Sequence, residues 1–199
     1  MKALVYEGVE TLAFRDVPDI TAREGEHLIR IEAVGICGSD MHAYLGHDAR
    51  RPAPLILGHE AAGVVQGGAM DGTRVTINPL VTCGTCPACS SARENLCPTR
   101  QIISMEPRPG AFAQYVSMPT SNLVDVPEGV PLDKASLAEP LAVSWHAARL
   151  ALAALHPSME RKALVLGGGA IGLAASLALK AMGIDSVTIV EPNDARRRF

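Results

Sequence analysis

Aromatic side chains are scarce in this sequence: three Tyr, three Phe and one Trp make up only 4% of 199 residues. So few rings offer little for nucleic-acid bases to stack on. An excess of charge is missing too, because 18 Lys and Arg stand against 21 Asp and Glu for a net −3. A surface without a positive balance does not gather nucleic acid or anionic lipid. No apolar run is long enough to cross a bilayer, and Met1–Tyr6 leads into a strand pattern rather than an apolar signal segment. These absences set the expectation of a cytoplasmic, reducing setting with neither nucleic acid nor membrane as partner. Internal repeats and low-complexity tracts are also lacking. What is present is a 48% hydrophobic content, enough for substantial cores.

The five cysteines are unevenly placed. Cys83, Cys86, Cys89 and Cys97 form a C-x2-C-x2-C-x7-C run, and Cys37 stands alone. Four thiolates gathered in a short loop meet the requirement of a closed tetrahedral metal site, with zinc as the expected occupant. Two disulfides would need an oxidising compartment that nothing here marks, and the bacterial ferredoxin pattern has three residues before its last cysteine where this run has seven. A four-cysteine site has no open position for substrate, so it shapes a loop and does no chemistry. Catalysis must come from elsewhere. Cys37 lies in Cys37-Gly38-Ser39-Asp40-Met41-His42, and His59-Glu60 follows within Gly58–Gly63. A thiolate, an imidazole and a carboxylate form a mixed ligand set that leaves one coordination position open.

A third motif is Gly167-Gly168-Gly169-Ala170-Ile171-Gly172. The apolar strand run Ala163–Leu166 precedes it, an Ala- and Leu-rich helix follows to Met182, and a second strand, Ser186–Val190, ends at Glu191. This is the context a dinucleotide fingerprint demands. Gly167 suits the tight turn, Gly169 a close approach of the backbone to pyrophosphate, and Gly172 close helix–strand packing. The helix N-terminus would receive the phosphates. Glu191 is placed for the adenosine ribose hydroxyls, and its charge favours NAD over NADP.

In this order the three motifs resemble the zinc-dependent medium-chain dehydrogenases, above all their sorbitol, polyol and threonine dehydrogenase branch, through essentially the whole chain. The resemblance implies a GroES-like β-barrel catalytic domain with its linking helix at 1–150. The first β-α-β unit of a Rossmann α/β domain follows at 151–199, truncated. It implies a catalytic zinc at Cys37, His59 and Glu60 and a structural zinc at the four clustered cysteines. Glu139, in Leu137-Ala138-Glu139-Pro140-Leu141, occupies a place where several members carry a cysteine ligand and polyol dehydrogenases a glutamate. Two arrangements stay open: one of Glu60 and Glu139 binds the metal with the other behind it, or they exchange as substrate enters. Ser39 and His42 match the family's proton relay, and Asp40 its carboxylate behind the metal-bound histidine. Arg196 matches an arginine at the adenosine end of NAD, whereas the run Arg196–Arg198 otherwise reads as the solvated face of a starting helix.

The implied reaction is hydride transfer from a polyol or other secondary alcohol to NAD, in a homodimer or homotetramer acting on a small molecule. The alternative is a non-enzymatic zinc-stabilised binding or interaction module. Such a module needs the four-cysteine lobe but not Cys37, Ser39, His42, His59, Glu60 and Glu139, whose joint presence favours the enzyme.

Alternating apolar residues predict strands at Lys2–Tyr6 and Leu28–Val34, and further strands are expected at Ala62–Gln66, Thr73–Ile77 and Ala111–Ser117. Leu141–Leu155 reads as a helix ended by His156-Pro157, with Trp145 and His146 as packing residues. A doubly wound nucleotide domain needs two βαβαβ halves, and here the sequence stops after its second strand. The expectation is therefore the N-terminal portion of a longer dehydrogenase, with strand edges and apolar faces uncovered in its last unit.

Overall fold

The computed structural model describes residues 1–198, which form two compact units, Met1–Glu139 and a second from Pro140 onward. The division falls before the boundary expected at 150, because all but the first two residues of the linking helix group with the second unit.

Two strands, β1 (Lys2–Gly8) and β2 (Thr11–Asp16), open the first unit as a hairpin. Then come β3 (Glu26–Gly35), α1 (Gly38–Tyr44), β4 (Leu55–Ile56), β5 (Glu60–Gln66) and β6 (Arg74–Ile77). A lobe follows, made of β7 (Leu80–Val81), α2 (Pro87–Ser90) and β8 (Gln101–Ile102). The unit closes with β9 (Tyr115–Pro119), β10 (Leu123–Asp125) and α3 (Leu132–Ala135). Five strands pair antiparallel in the order β10-β6-β5-β3-β9, three in the order β2-β1-β4, and β7 pairs with β8. This is the curled half-barrel that the resemblance implied.

The first four expected strands, two of them marked by alternation, lie in β1, β3, β5 and β6 with their ends moved by no more than two residues. The fifth starts at Tyr115 instead of Ala111. The amides of Gly110, Ala111 and Phe112 donate instead to the carbonyls of Ile56, Gly58 and Leu57, which lead into the His59 segment. Strand β2 was not anticipated, because five of its six residues are exposed and no apolar alternation marks it.

Three apolar clusters position the site. The main core packs Ile29, Ala61, Val65, Val75, Ile77, Val116 and Met118, inward-facing residues of β3, β5, β6 and β9 at the two-residue period of strands. A second cluster joins Tyr6 of β1 and Ala43 of α1 to Leu55 and Leu57, with Phe112 against it. It therefore binds the helix after Cys37 to the segment before His59, and burying Leu57 alone is worth about 2 kcal/mol. In the third, Ala62, Val126 and Ala135 seat α3 on β5, just before Glu139.

A buried ion pair braces the outer side of the sheet. Arg108 Nη2 donates to Glu26 Oε1 at 2.7 Å, Ser117 Oγ donates to Glu26 Oε2 at 2.6 Å, and Arg108 Nε donates to Gln101 Oε1 at 2.7 Å. Burial works to raise the pKa of Glu26, but the Arg108 and Ser117 bonds outweigh it and hold the carboxyl below its usual value of 4.5. A depressed folded-state pKa adds stability that is complete above about 4.5 and is lost as pH falls through the lower, folded value. Glu26→Gln should cost about 2 kcal/mol at pH 7. Urea midpoints of the parent and variant should converge as pH drops below 4; a gap that stays constant would contradict this.

In the second unit α4 (Ala138–Ala154) carries the chain to β11 (Lys162–Leu166), α5 (Ala170–Ala181), β12 (Ser186–Val190) and α6 (Asp194–Arg197). β11 and β12 pair in parallel from Lys162↔Ser186 to Leu166↔Val190, with α5 packed on both. Burial alternates along β11, so this pair has one covered and one open face, and Leu164, Leu166 and Leu177 are exposed as expected for an uncovered unit. Trp145 and His146 also differ from expectation: both stand exposed on α4. Among the described residues no helix is long and apolar enough to cross a membrane.

Candidate metal centres and nucleotide turn

Cys37 ends the segment leaving β3 and is the N-cap of α1, while Glu60 opens β5. Antiparallel pairing places Gly35 opposite Glu60, so residues far apart in sequence meet at one end of the β3–β5 ladder. There one ligand atom each from Cys37, His59 and Glu60 lies within 4.8 Å of the others. His59 and Glu60 are both buried at 7% exposure.

Asp40, 3% exposed, ties the pieces together. Its Oδ2 accepts from the Cys37 amide at 3.0 Å, its Oδ1 accepts from the Gly58 amide at 3.1 Å, and Oδ1 stands 3.7 Å from His59 Nδ1. Ser104 Oγ lies 3.5 Å from the same nitrogen. With Nδ1 turned to these oxygens, Nε2 is the ring atom available to a metal. Burial opposes a charge on His59, yet Asp40 and Cys37 outweigh it and hold the imidazolium up to about 10. The His59 bond, opposed by burial and helped by Ser39, lowers the Cys37 thiol. Such a donor set calls for a cation, and a divalent metal fits it.

Glu139 sits at the start of α4, outside this 4.8 Å group. Burial raises its pKa; His59 pulls it down, while the charges of Glu60 and Asp40 push it further up. It therefore lies within electrostatic reach of His59 and Glu60 without joining their ligand group. Ser39, in the first turn of α1, helps to lower the Cys37 thiol, and His42 is exposed on the same helix beside His47, with ring centroids 6.3 Å apart. Tyr44 and Phe112 line a groove of about 580 Å³ with Leu12, Phe14 and Ile36. That groove reaches the site only through Asp40.

Gly35 is a requirement that the sequence reading missed. A Cβ there would fall inside the van der Waals shell of Glu60 Oε2, so only glycine lets the carboxylate occupy its place. Its position two residues before Cys37 is the only trace in the sequence. Gly35→Ala should displace Glu60 and weaken metal binding at the Cys37 site about 10-fold, with chelator competition as the measurement. Unchanged affinity would show that Glu60 is not needed there.

The four-cysteine lobe meets a stricter test. With Zn–S bonds of about 2.3 Å, tetrahedral thiolates stand about 3.8 Å apart. The Sγ separations are 3.5 Å for Cys86–Cys89, 3.7 Å for Cys83–Cys97 and 3.9 Å for Cys83–Cys89, and all five cysteines are free thiols. Backbone amides of Thr85 and Cys86 lower Cys83, whereas desolvation and Cys86 raise Cys89. Four crowded thiols ionise together only around a cation.

In the second unit Gly167 has φ 102° at the turn after β11, and Gly169 is the N-cap of α5 with open space where a side chain would be. A Cβ on Gly172 would overlap the Gly167 carbonyl oxygen, so a glycine lets the helix lie close against the turn after β11. Ile171 is half exposed in the first turn of α5. Glu191 Oε1 accepts from the Asn193 amide and Oε2 from the Gly168 amide, both at 2.8 Å, and these bonds hold the carboxyl below its usual range. The acidic residue is thus tied to the glycine turn. Arg197 donates to the Glu191 and Pro192 carbonyls, while the exposed Arg196 is held to the cap by its amide, which donates to Asn193 Oδ1 at 3.1 Å.

Known proteins resemble this chain along nearly its whole length. Sorbitol dehydrogenase of Bacillus subtilis (strain 168) is 36% identical over 200 residues, covering 96% of this chain and 56% of that protein. L-galactonate-5-dehydrogenase of Escherichia coli (strain K12) is 35% identical over 203 residues, covering 99% of this chain and 58% of its own. Among solved structures, galactitol-1-phosphate dehydrogenase from Escherichia coli superposes with a TM-score of 0.86 at 28% identity, covering 98% of this chain and 57% of that one. A short chain alcohol dehydrogenase (rspB) from E. coli CFT073, complexed with cofactor NADH, gives 0.88 at 30%, covering 100% and 58%. The chain thus spans just over half the length of these relatives. Residues 23–128 match the alcohol dehydrogenase GroES-like domain and bracket Cys37, His59, Glu60 and the whole cysteine lobe, so the chain belongs to that family, among the zinc-type medium-chain alcohol dehydrogenases.

Proposed function

We propose that this chain is the zinc-binding and nucleotide-turn portion of an oxidoreductase that moves a hydride from a polyol or other secondary alcohol to NAD. The convergence of Cys37, His59 and Glu60 carries the reading: a sulfur, a nitrogen and an oxygen donor leave a coordination position that the four-cysteine lobe lacks. Zinc held by the trio would supply Lewis-acid polarisation of the substrate hydroxyl, and NAD the hydride acceptor. The chain's own groups do the remaining work. Asp40 fixes the His59 ring, the Ser39 hydroxyl takes up the proton that the substrate gives up while handing on its own through the ribose of the bound cofactor, and the exposed His42 receives it there and releases it to water. Glu60 acts as the direct carboxylate ligand, with Glu139 behind it.

In the second unit the backbone of Gly167, Gly169, Ile171 and Gly172 receives the pyrophosphate. Glu191 binds the adenosine ribose, and Arg196 lies at the adenosine end. Relatives named for sorbitol and L-galactonate support a polyhydroxylated substrate. Five free thiols fit a reducing cytoplasm.

Elemental analysis tests the reading. The parent chain should hold two zincs and Cys37→Ala only one. Equal zinc in both would overturn the catalytic-site assignment.

A further inference from the structure

We propose that Ser104 is a positioning residue for the His59 ligand, sharing the Nδ1–H of the imidazole with Asp40 and held in place by the Asp48–Arg51 pair. The inference rests on the zinc-site reading above. Ser104 is fully buried at 0% exposure, and among the described residues it is one of three non-glycine residues with positive φ, at 69°. A serine side chain is kept in that left-handed conformation only where the surroundings impose it. The surroundings here are specific. Arg51, itself 6% exposed, donates from Nε to the Ser104 carbonyl at 3.1 Å, and its Nη1 is paired with Asp48 Oδ2.

The far side of the residue is its hydroxyl. No described buried side-chain oxygen or nitrogen lacks a partner, and the partner of Ser104 Oγ is His59 Nδ1 at 3.5 Å, nearer than Asp40 Oδ1 at 3.7 Å. Asp40 is already shared, with Oδ1 accepting from the Gly58 amide and Oδ2 from the Cys37 amide. The serine oxygen carries no other bond among the described residues. A neutral acceptor at Nδ1 keeps the proton on that nitrogen and the lone pair on Nε2, and it sets the plane of the ring. Asp40 lies slightly farther from the ring and also holds two amides, so the serine adds a nearer oxygen on the same nitrogen. Ser104 thus links a buried ion pair to a metal-ligating ring, although Arg51 and Asp48 touch no ligand.

Cobalt(II) titration of the 199-residue chain tests this, with Cys37→Ala used to subtract the four-cysteine site. Visible absorption reports the coordination geometry, and chelator competition reports affinity. Ser104→Ala removes the hydroxyl and keeps the strained backbone; Ser104→Gly removes both and suits the positive φ. Both variants should weaken cobalt at the Cys37 site about 10-fold and shift its spectrum, with the four-cysteine site unchanged. Arg51→Met should shift the spectrum in the same direction with the hydroxyl present. Parent-like affinity and spectrum in Ser104→Gly would overturn the inference while leaving the zinc-site reading intact; so would a change in Ser104→Gly that Ser104→Ala does not share. A parent chain with no Cys37-dependent cobalt would overturn both.

Discussion

Cys97→Ser is expected to release one zinc per chain and to unfold the lobe between β7 and β8 while the sheet stays folded. Cys97 is the only buried residue from Thr82 to Arg100, and none of the three apolar clusters contains a residue of that stretch. Regular structure there amounts to the four residues of α2 and one 3-10 turn. A segment that buries so little cannot offset the entropy of ordering its backbone, on the order of 1 kcal/mol or more per residue. Metal binding must supply the difference, and structural zinc sites contribute on the order of 10 kcal/mol to folding. Removing one of four thiolates forfeits most of that. Elemental analysis should show the loss of one zinc, and limited proteolysis should cut within 83–97 while the β3–β5–β6 core resists. A Cys97→Ser chain that keeps its zinc and resists cleavage would show that the lobe is held by something other than the metal.

Asp40→Ala should have the largest effect at the other centre. Its carboxylate serves two backbone amides and faces His59 Nδ1, all in a buried setting. Alanine leaves the Cys37 and Gly58 amides without partners, and each orphaned buried group costs about 1–3 kcal/mol, so a loss of about 3–5 kcal/mol is expected. Metal affinity at the Cys37 site should fall by about 100-fold, the upper end for losing a partner of a metal-bound histidine. Asp40→Asn separates the two effects. It keeps an acceptor for one amide and the side-chain volume, so stability should partly return, while the loss of negative charge opposite His59 should still weaken the metal. Chemical denaturation and chelator titration of both variants provide the check. Parent-like metal binding in Asp40→Ala would mean that Cys37 and His59 are placed without this link.

Local spacing made much of this chain legible. The lobe cysteines lie within fifteen residues of one another, so a short loop brings their thiols together whatever the rest of the fold does. The glycine fingerprint is a strand, a turn and a helix in succession, and its backbone requirements act within a few bonds of each glycine. Alternation marked β1 and β3 because their inward residues meet a core, Tyr6 in one cluster and Ile29 in another. Exposed β2 and the start of β9 were hidden because neither is set by local pattern. The first lies at an edge, and the second is fixed by amides that bond back to the 56–58 segment.

The sequence by itself determined which donor types this protein carries and the spacing of its cysteine lobe and nucleotide turn. Tertiary structure alone decided which donors meet. Cys37 reaches His59 and Glu60 through the β3–β5 register, Gly35 clears the space for Glu60, Glu139 stays outside the ligand group, and Ser104 arrives beside His59 from a distant loop. The reason is physical: a short loop confines its own side chains, whereas contacts across tens of residues depend on strand register and packing, where a slip of one residue turns every side chain to the opposite face.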